Sequence, residues 1–301
     1  MTSPGAPTPV SIPDVVAPPP GNPRFPLLDS LRGLAALSIL VFHVDGLNLN
    51  DTGRWVRVIT WRLNIGVTVF FVLSGFLLYR PFVAARLEGR TQPRIRDYAR
   101  RRVLRIVPAY WLALTVLAIY PGLVGVFTGD WWRYYGFAQN YSIPNEVHGI
   151  AQAWTLGIEA SFYAALPIYA LAITRATRGV PTRSAVRRDL IGLGALALGA
   201  VGARVVLGHN SIVVYTLPGM LYWFALGMAM AVASAYVALT DGHSAALRVI
   251  ERWPSALWCA AVALTVSLTV VLRLPAPAPV PTPPKPTACR RTVASAALAA
   301  R

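Results

Sequence analysis

The stretch Leu27–Val44, LLDSLRGLAALSILVFHV, decides how the rest of the chain is interpreted. It is apolar over nearly the length that an α-helix needs to cross a bilayer, about 20 residues. It nevertheless carries Asp29 and Arg32 near its start and His43 near its end. An ionisable imidazole inside a membrane span costs free energy unless it faces a partner or a water-filled cavity. His43 is therefore either a functional group or a packing residue that is hydrogen-bonded to a neighbour.

The composition is that of a multi-span membrane protein rather than a soluble domain. Apolar residues make up 55% of the 301 residues, charged residues only 13%, and the mean hydropathy is +0.51. The net charge of +16 does not indicate nucleic-acid binding, because almost all basic residues are arginines in short segments between apolar runs, where they set membrane topology. Cys259 and Cys289 suggest neither a disulfide framework nor a metal site.

Six further apolar runs follow, and each is predicted to be a helix, because backbone groups inside a bilayer must bond within their own segment. They are Ile65–Val83, Ile106–Phe127, Ile150–Ile173, Leu190–Leu207, Val213–Leu239 and Ser255–Leu272. The predicted fold class is all-α, a transmembrane bundle with about seven spans. We expect a disordered Pro-rich leader at 1–26, a membrane domain at 27–273 and a disordered Pro/Ala-rich tail at 274–301.

The distribution of arginines predicts the orientation of these spans. The segments between spans on the same side as the amino terminus hold 18 arginines, and those on the opposite side hold 4. Because arginine-rich segments stay in the cytoplasm, the amino terminus is predicted to be cytoplasmic. The expected location is the plasma membrane. A rise of about 1.5 Å per residue from the predicted span ends then gives His43, Ser74 and Glu159 similar depths. We therefore expect the imidazole and the carboxylate to meet inside the bilayer.

Four ordered segments of the chain resemble the integral-membrane acyltransferase 3 family, the O-acyltransferases that modify bacterial surface polysaccharides, lipids and some antibiotics. They are FPLLDSLRGLAALSILVFH at 25–43, GVTVFFVLSGFLLYRPF at 66–82, YARRRVLRIVPAYW at 98–111 and AWTLGIEASFYAALP at 153–167. The resemblance covers about residues 24–272. It implies transfer of an acyl group from a cytosolic donor, usually acetyl-CoA, to a hydroxyl of a sugar or lipid.

The resemblance also implies site residues. The family's essential histidine and arginine map onto His43 and Arg32, and its paired arginines map onto Arg102 and Arg105. We expect His43 to act as general base toward the acceptor hydroxyl, with Glu159 orienting it or stabilising the imidazolium. Arg102 and Arg105 share a helix face and are expected to bind the phosphates of acyl-CoA, with Arg32 at the same entrance. The alternative is that these arginines only set topology and contact lipid headgroups.

Other residues are expected to support this site. Ser74 and the following glycine favour close helix packing, and a nucleophilic serine is the alternative. Trp154 is predicted to anchor its span at the membrane interface. Asp29 is predicted to cap the first helix or to pair with Arg32. The aromatic segment Asp130–His148 is predicted to be an interfacial belt, and a platform for an acceptor sugar is the alternative.

The expected partners are the lipid bilayer, acyl-CoA as a co-substrate, and a glycan or lipid that bears a hydroxyl group. No metal, bound cofactor or nucleic acid is predicted. The chain departs from the family in having seven predicted spans rather than about ten, and in keeping only Glu159 of a longer polar motif. A truncated, inactive protein is thus one alternative. A proton-coupled transporter is another, because intramembrane His and Glu also form proton relays, although no internal repeat is seen.

Overall fold

The structure is a computed structural model, and it describes residues 26–47, 60–142, 148–207 and 211–240. All regular structure in that part of the chain is helical. The six long helices are α1 (Pro26–Leu47), α2 (Ile65–Leu87), α3 (Ile95–Ile119), α4 (Trp154–Ala176), α5 (Thr182–Leu207) and α6 (Leu217–Leu239).

The predicted all-α membrane bundle is confirmed. Helices α2 to α6 are long and apolar enough to cross a membrane, and α1 contains a shorter apolar stretch, Ser30–Val44. The predicted leader up to residue 25, the apolar run Ser255–Leu272 and the tail 274–301 lie outside the described residues, so these assignments stay predictions.

Two helices begin earlier than their apolar runs predict. Helix α3 begins at Ile95 rather than Ile106, and α5 begins at Thr182 rather than Leu190. The added turns are rich in arginine, which has good helix propensity and extends its charged end toward water while its stem covers apolar surface. The arginine-rich segment before Ile106 is therefore mostly helical, and its charges project from fixed positions on α3.

Helices α1 and α2 run in opposite directions. Phe42 of α1 lies 5.6 Å, between ring centroids, from Trp61, which precedes α2. Farther along α2, Gly66 packs against Ala35 and Ser38 of α1. Since the numbers fall along one helix as they rise along the other, α1 and α2 are antiparallel. This register determines which α1 residues can reach the site on α2.

Helices α2 and α6 form the most closely packed pair. They run parallel, because Phe71 stacks on Phe224 and, farther along both helices, Arg80 donates to Ser234 at 3.2 Å. Gly75 lies against the backbone oxygen of Phe224, and Gly227 against that of Val72, so neither position has room for a Cβ atom. Glycine permits this close approach of backbones, as it does in many membrane bundles. The prediction of close packing at the Ser-Gly pair of α2 is confirmed.

Three phenylalanines join α2, α4 and α6 in the bundle centre. The ring of Phe224 stacks on Phe71 at 4.7 Å and on Phe162 at 4.1 Å, and all three are buried. Because lipid tails are as apolar as the rings, such contacts stabilise membrane helices through van der Waals packing and ring geometry rather than through removal of apolar surface from water. Phe71 and Phe162 lie about one helical turn from Ser74 and Glu159, so the stack positions α4 beside α2 next to these two residues.

The segment between α3 and α4 is folded against both helices. The Tyr110 hydroxyl and the Trp111 indole of α3 donate to backbone oxygens of Tyr134 and Tyr135 at 3.0 and 2.9 Å. The buried Asn140 side chain donates to backbone oxygens of Trp154 and of Tyr215 at 2.6 and 2.7 Å. A simple interfacial belt does not describe this segment, because its polar groups bond within the bundle; only parts such as Trp131 and Trp132 are exposed.

Candidate active site

A carboxylate bridges α2 and α4 in the bundle interior. Glu159 lies in the second turn of α4, and its Oε1 accepts a hydrogen bond from Ser74 Oγ at 3.1 Å. Its Oε2 accepts one from the Tyr163 hydroxyl, one turn along α4, at 2.7 Å. Ser74 is buried. The bonds fix the orientation of the carboxylate and assign Ser74 as a donor to Glu159.

Two arginines from other helices lie within electrostatic range of this carboxylate, although neither forms an ion pair with it within 4.0 Å in the described residues. Arg32 of α1 and Arg102 of α3 both interact electrostatically with Glu159 and with each other. Side chains from α1, α2, α3 and α4 therefore converge at one place. Two guanidinium groups within electrostatic range of one carboxylate leave an excess of positive charge, and arginine is well suited to bind phosphate or carboxylate groups. The sequence predicted Arg32, Arg102 and Glu159 separately, and the structure brings them together.

His43 lies at a different level, so the predicted contact between its imidazole and Glu159 is wrong. Its neighbour Phe42 is beside Trp61, and Ser74 follows Trp61 by 13 residues, about 20 Å of helix. The prediction failed because it began α2 at Ile65 and counted depth from there, whereas the helical segment begins at Thr60. The α1–α2 register sets His43 beside the beginning of that segment.

The hydrogen bond of His43 defines which ring nitrogen is free. Nδ1 lies 2.8 Å from the backbone oxygen of Ile39, one turn earlier in α1. Because a carbonyl oxygen only accepts, Nδ1 carries the proton, and in the neutral ring Nε2 keeps its lone pair. That is the protonation state a general base requires.

Two cavities flank the Glu159 cluster. A cavity of 460 Å³ lies between α2 and the beginning of α3, and its polar lining comes from Arg90, Thr91, Tyr98, Arg101 and Arg102. A groove of 510 Å³ lies between α3 and α4. Tyr98 and Arg102 line both spaces. The buried Tyr98 hydroxyl and Arg102 Nε have no hydrogen-bond partner within the described part of the chain.

The remaining predicted residues fall in different places. Arg105 is exposed and lines neither cavity, whereas Arg101 lines the first, and the expectation that Arg102 and Arg105 bind the donor phosphates together stays a prediction. Trp154 packs edge-on against Tyr215, with ring centroids 5.2 Å apart, at the beginning of α4. Asp29 belongs to α1, but its side chain lies outside the described residues.

A second buried polar cluster was not predicted. The Asp189 carboxylate of α5 accepts hydrogen bonds from the hydroxyls of Tyr79 and Tyr169, each at 2.7 Å, and forms an ion pair with Arg86. Asp189 directly follows Arg187 and Arg188, and such a polar sequence gives no sign of burial. The signal that was available is that this carboxylate precedes the apolar run Leu190–Leu207 without interruption.

Metal ligands are not grouped in the described ranges: no three His, Cys, Asp or Glu side chains there lie close enough to hold an ion. The site thus consists of a hydrogen-bonded carboxylate, two arginines and flanking cavities in a helical membrane bundle. Such an arrangement is suited to binding an anionic substrate at a membrane.

Comparison with known protein families identifies the family of this helical bundle. Residues 25–284 match the acyltransferase domain of the acyltransferase 3 family, and the chain belongs to that family. The resemblance seen in the four sequence segments is confirmed.

Curated relatives are similar to parts of the chain. The peptidoglycan O-acetyltransferase OatA of Listeria monocytogenes is 24% identical over 192 residues, which is 57% of this chain and 28% of that protein. The O-acetyltransferase OatA of Staphylococcus aureus is 26% identical over 233 residues, which is 70% and 35%. A putative peptidoglycan O-acetyltransferase, YrhL of Bacillus subtilis, is 26% identical over 162 residues. The chain spans about a third or less of the length of these relatives, and no solved structure matches it.

Proposed function

We propose that the chain is a membrane O-acyltransferase that moves an acetyl group from acetyl-CoA to a hydroxyl of a cell-wall glycan. The observation that carries this proposal is the convergence of Arg32, Arg102 and Glu159 beside an arginine-lined cavity. Family membership supports acyl transfer. The names of the OatA relatives support acetyl as the group and peptidoglycan as the class of acceptor.

The donor is assigned to the 460 Å³ cavity. Arg90, Arg101 and Arg102 supply permanent positive charge, and its remaining lining is largely apolar, from residues such as Leu77 and Phe82. Coenzyme A combines phosphates with a long, uncharged pantetheine arm, so its chemistry matches both parts of the lining. The volume falls within the range of about 300–1,000 Å³ that is usual for ligand sites.

Helix α1 connects the donor end of the site with the base. Arg32 and His43 are eleven residues apart, about 16 Å along the helix. The phosphates of coenzyme A and its thioester are likewise at opposite ends of the molecule. Arg32 is therefore assigned to the phosphates of coenzyme A and His43 to its thioester. Glu159 is assigned to orienting the two arginines rather than the imidazole.

The proposed reaction uses the free nitrogen of His43. Nε2 takes the proton of the acceptor hydroxyl as the oxygen attacks the thioester carbonyl. The carbon–sulfur bond of the tetrahedral intermediate then breaks, and the leaving thiolate takes the proton back from the imidazolium. The products are the acetyl ester and coenzyme A. The protein is assigned to the plasma membrane with its arginine-rich helix ends in the cytoplasm. Acetyl-CoA then approaches from the cytoplasm, and the cell-wall glycan approaches from outside the cell.

The test is transfer of radiolabelled acetyl from acetyl-CoA to soluble peptidoglycan fragments by the full chain in proteoliposomes. We expect wild-type transfer, and a loss of at least 100-fold in His43→Ala, since general base catalysis contributes about 10²–10⁴-fold. Leu40→Ala is the matched control, because Leu40 is an exposed residue on the same helix. Equal transfer by His43→Ala and Leu40→Ala at equal abundance would remove the assigned base. Proton-coupled solute uptake without acetyl transfer would instead identify a transporter.

A further inference from the structure

Tyr98 of α3 carries a buried hydroxyl that has no partner in the described part of the chain. The residue is 6% exposed, and no described group forms a hydrogen bond with the hydroxyl. The ring itself is held in place, because it packs edge-on against Phe82 of α2 with 5.7 Å between the ring centroids. Buried polar groups are almost always hydrogen-bonded, since an unpaired one costs free energy. The Tyr98 hydroxyl is therefore a candidate contact for a ligand.

A second unpaired donor lies one turn farther along the same helix. The buried Nε of Arg102 also has no partner among the described residues. Tyr98 and Arg102 interact electrostatically, and residues four apart share a face of a helix. A tyrosine hydroxyl keeps its proton at neutral pH, so both side chains offer a hydrogen. Two such donors, one of them charged, match a ligand that brings acceptor oxygens and negative charge.

The basic side chains near Tyr98 lie on the side of the 460 Å³ cavity. Tyr98 and Arg102 line both this cavity and the neighbouring groove, but Arg90 and Arg101 line the cavity alone. The groove has one further polar side chain, Tyr163, and its hydroxyl already donates to a carboxylate. An anion that bonds to Tyr98 is therefore best accommodated in the cavity that the proposed function gives to the donor.

Nearby acidic residues leave that positive charge in excess. No carboxylate is among the described residues that line the cavity. Glu88 pairs with Arg90 at an exposed position. Asp97 precedes Tyr98 in the sequence, but it is exposed and lines neither space. The oxygens of Glu159 already accept hydrogen bonds from two hydroxyls. The unpaired Nε of Arg102 and the Tyr98 hydroxyl thus stay available to an incoming phosphate.

We propose that Tyr98 is a donor-binding residue whose hydroxyl bonds, beside Arg102, to the 5′-diphosphate of coenzyme A. This inference rests on the proposed function and adds to it a residue that the sequence did not indicate. Depth selects the diphosphate, because Tyr98 is buried and Arg102 half-buried, whereas Arg90 and Arg101 are exposed. The diphosphate lies between the adenosine and the pantetheine arm. It therefore enters deeper than the 3′-phosphate of the ribose, which is assigned to the two exposed arginines.

Loss of the Tyr98 hydroxyl should affect binding but not folding. The hydroxyl makes no described hydrogen bond in the free protein, and Tyr98→Phe keeps the ring that packs against Phe82. Removing an unpaired buried polar group does not cost stability and can add to it. We therefore expect the free variant to unfold at the same SDS concentration as wild type or at a higher one. A tyrosine with a structural role would give a lower one.

The experiment is calorimetric binding of coenzyme A and of dephospho-coenzyme A, which lacks the 3′-phosphate, to the full chain in micelles without lipid. Tyr98→Phe should weaken the binding of both ligands about tenfold, through loss of one hydrogen bond to a charged group. Arg101→Gln should weaken the binding of coenzyme A alone, because dephospho-coenzyme A lacks its partner. SDS titration of the same samples without ligand measures stability.

The matched control is Tyr110→Phe, the same change on the same helix. The Tyr110 hydroxyl donates to a backbone oxygen at 3.0 Å, and the residue lines neither cavity. This variant should unfold at a lower SDS concentration and bind coenzyme A as wild type does. If Tyr98→Phe loses as much stability as this control, another segment of the chain bonds the hydroxyl, and the proposal is wrong.

The remaining outcomes separate this inference from the proposed function. Equal coenzyme A binding by Tyr98→Phe and wild type would overturn the inference and leave the donor site in place. A loss of phosphatidylglycerol binding instead would assign the hydroxyl to a lipid headgroup. Weaker binding of coenzyme A but not of dephospho-coenzyme A would move Tyr98 to the 3′-phosphate and reject the diphosphate contact. Absence of coenzyme A binding by wild type would refute the donor site itself, and this inference with it.

Discussion

Removal of the Asp189 carboxylate should destabilise the bundle strongly. The carboxylate is fully buried and accepts from the Tyr79 and Tyr169 hydroxyls and from Arg86, whose side chain is 8% exposed. Asp189→Leu leaves these donors without their acceptor and one buried cation without its counterion. Breaking a buried ion pair by removing one partner typically costs about 3–5 kcal/mol. We expect a loss in this range in the free energy of unfolding.

The assay is reversible SDS titration in mixed micelles, followed by circular dichroism. Glu88→Gln is the control, because it breaks the exposed pair with Arg90 and should cost at most about 1 kcal/mol. The double variant Asp189→Leu/Arg86→Met should recover part of the loss, since it removes the unpaired cation but leaves the Tyr79 and Tyr169 hydroxyls without their acceptor. A loss below about 1 kcal/mol in Asp189→Leu, or no recovery in the double variant, would refute this reasoning.

Three further predictions concern packing and the site. Gly227→Ala should cost about 1–3 kcal/mol in unfolding free energy, because its Cβ would overlap a backbone oxygen of α2, whereas Gly202→Ala, where nothing lies within 4 Å, should cost nothing. Asn140→Ala removes two hydrogen bonds that join three segments, and a loss of about 1–3 kcal/mol is expected in the same titration. Tyr163→Phe leaves one oxygen of Glu159 without its donor and should lower acetyl transfer about tenfold, together with a loss of about 1–3 kcal/mol in the same titration; unchanged transfer would contradict the role given to Glu159.

The sequence predicts the helical class well because a bilayer requires it. Apolar runs of membrane length must be helices, and five of the predicted runs correspond to α2 to α6. Helix beginnings are harder to predict, because arginine-rich turns such as those before Ile106 are polar yet helical. The helical segment that contains α2 likewise begins at Thr60 rather than at Ile65, and such an error changes which residues share a level. That is why His43 and Glu159 were expected to meet and do not.

The sequence predicted individual residues of the site, but it did not predict which of them contact each other. Arg32, Arg102 and Glu159 stand out because charge is rare inside a span. Tyrosines give no such signal, since Tyr98 and Tyr163 resemble any aromatic residue of a membrane helix. Their roles follow from the register between α3 and α4, which residue spacing in the sequence does not give. Side-chain partners across helices therefore required the structure.

The central claim is that particular arginines, rather than positive charge in general, bind the donor. The most direct measurement compares the KM for acetyl-CoA in Arg32→Gln and Arg102→Gln with that in Arg100→Gln, which removes an exposed arginine of α3 that lines neither cavity. Loss of a hydrogen-bonded charge contact of about 1.5–3 kcal/mol predicts a KM raised about 10- to 100-fold in the first two variants and unchanged in the third. Equal changes in all three would show that the arginines act only through net charge or topology.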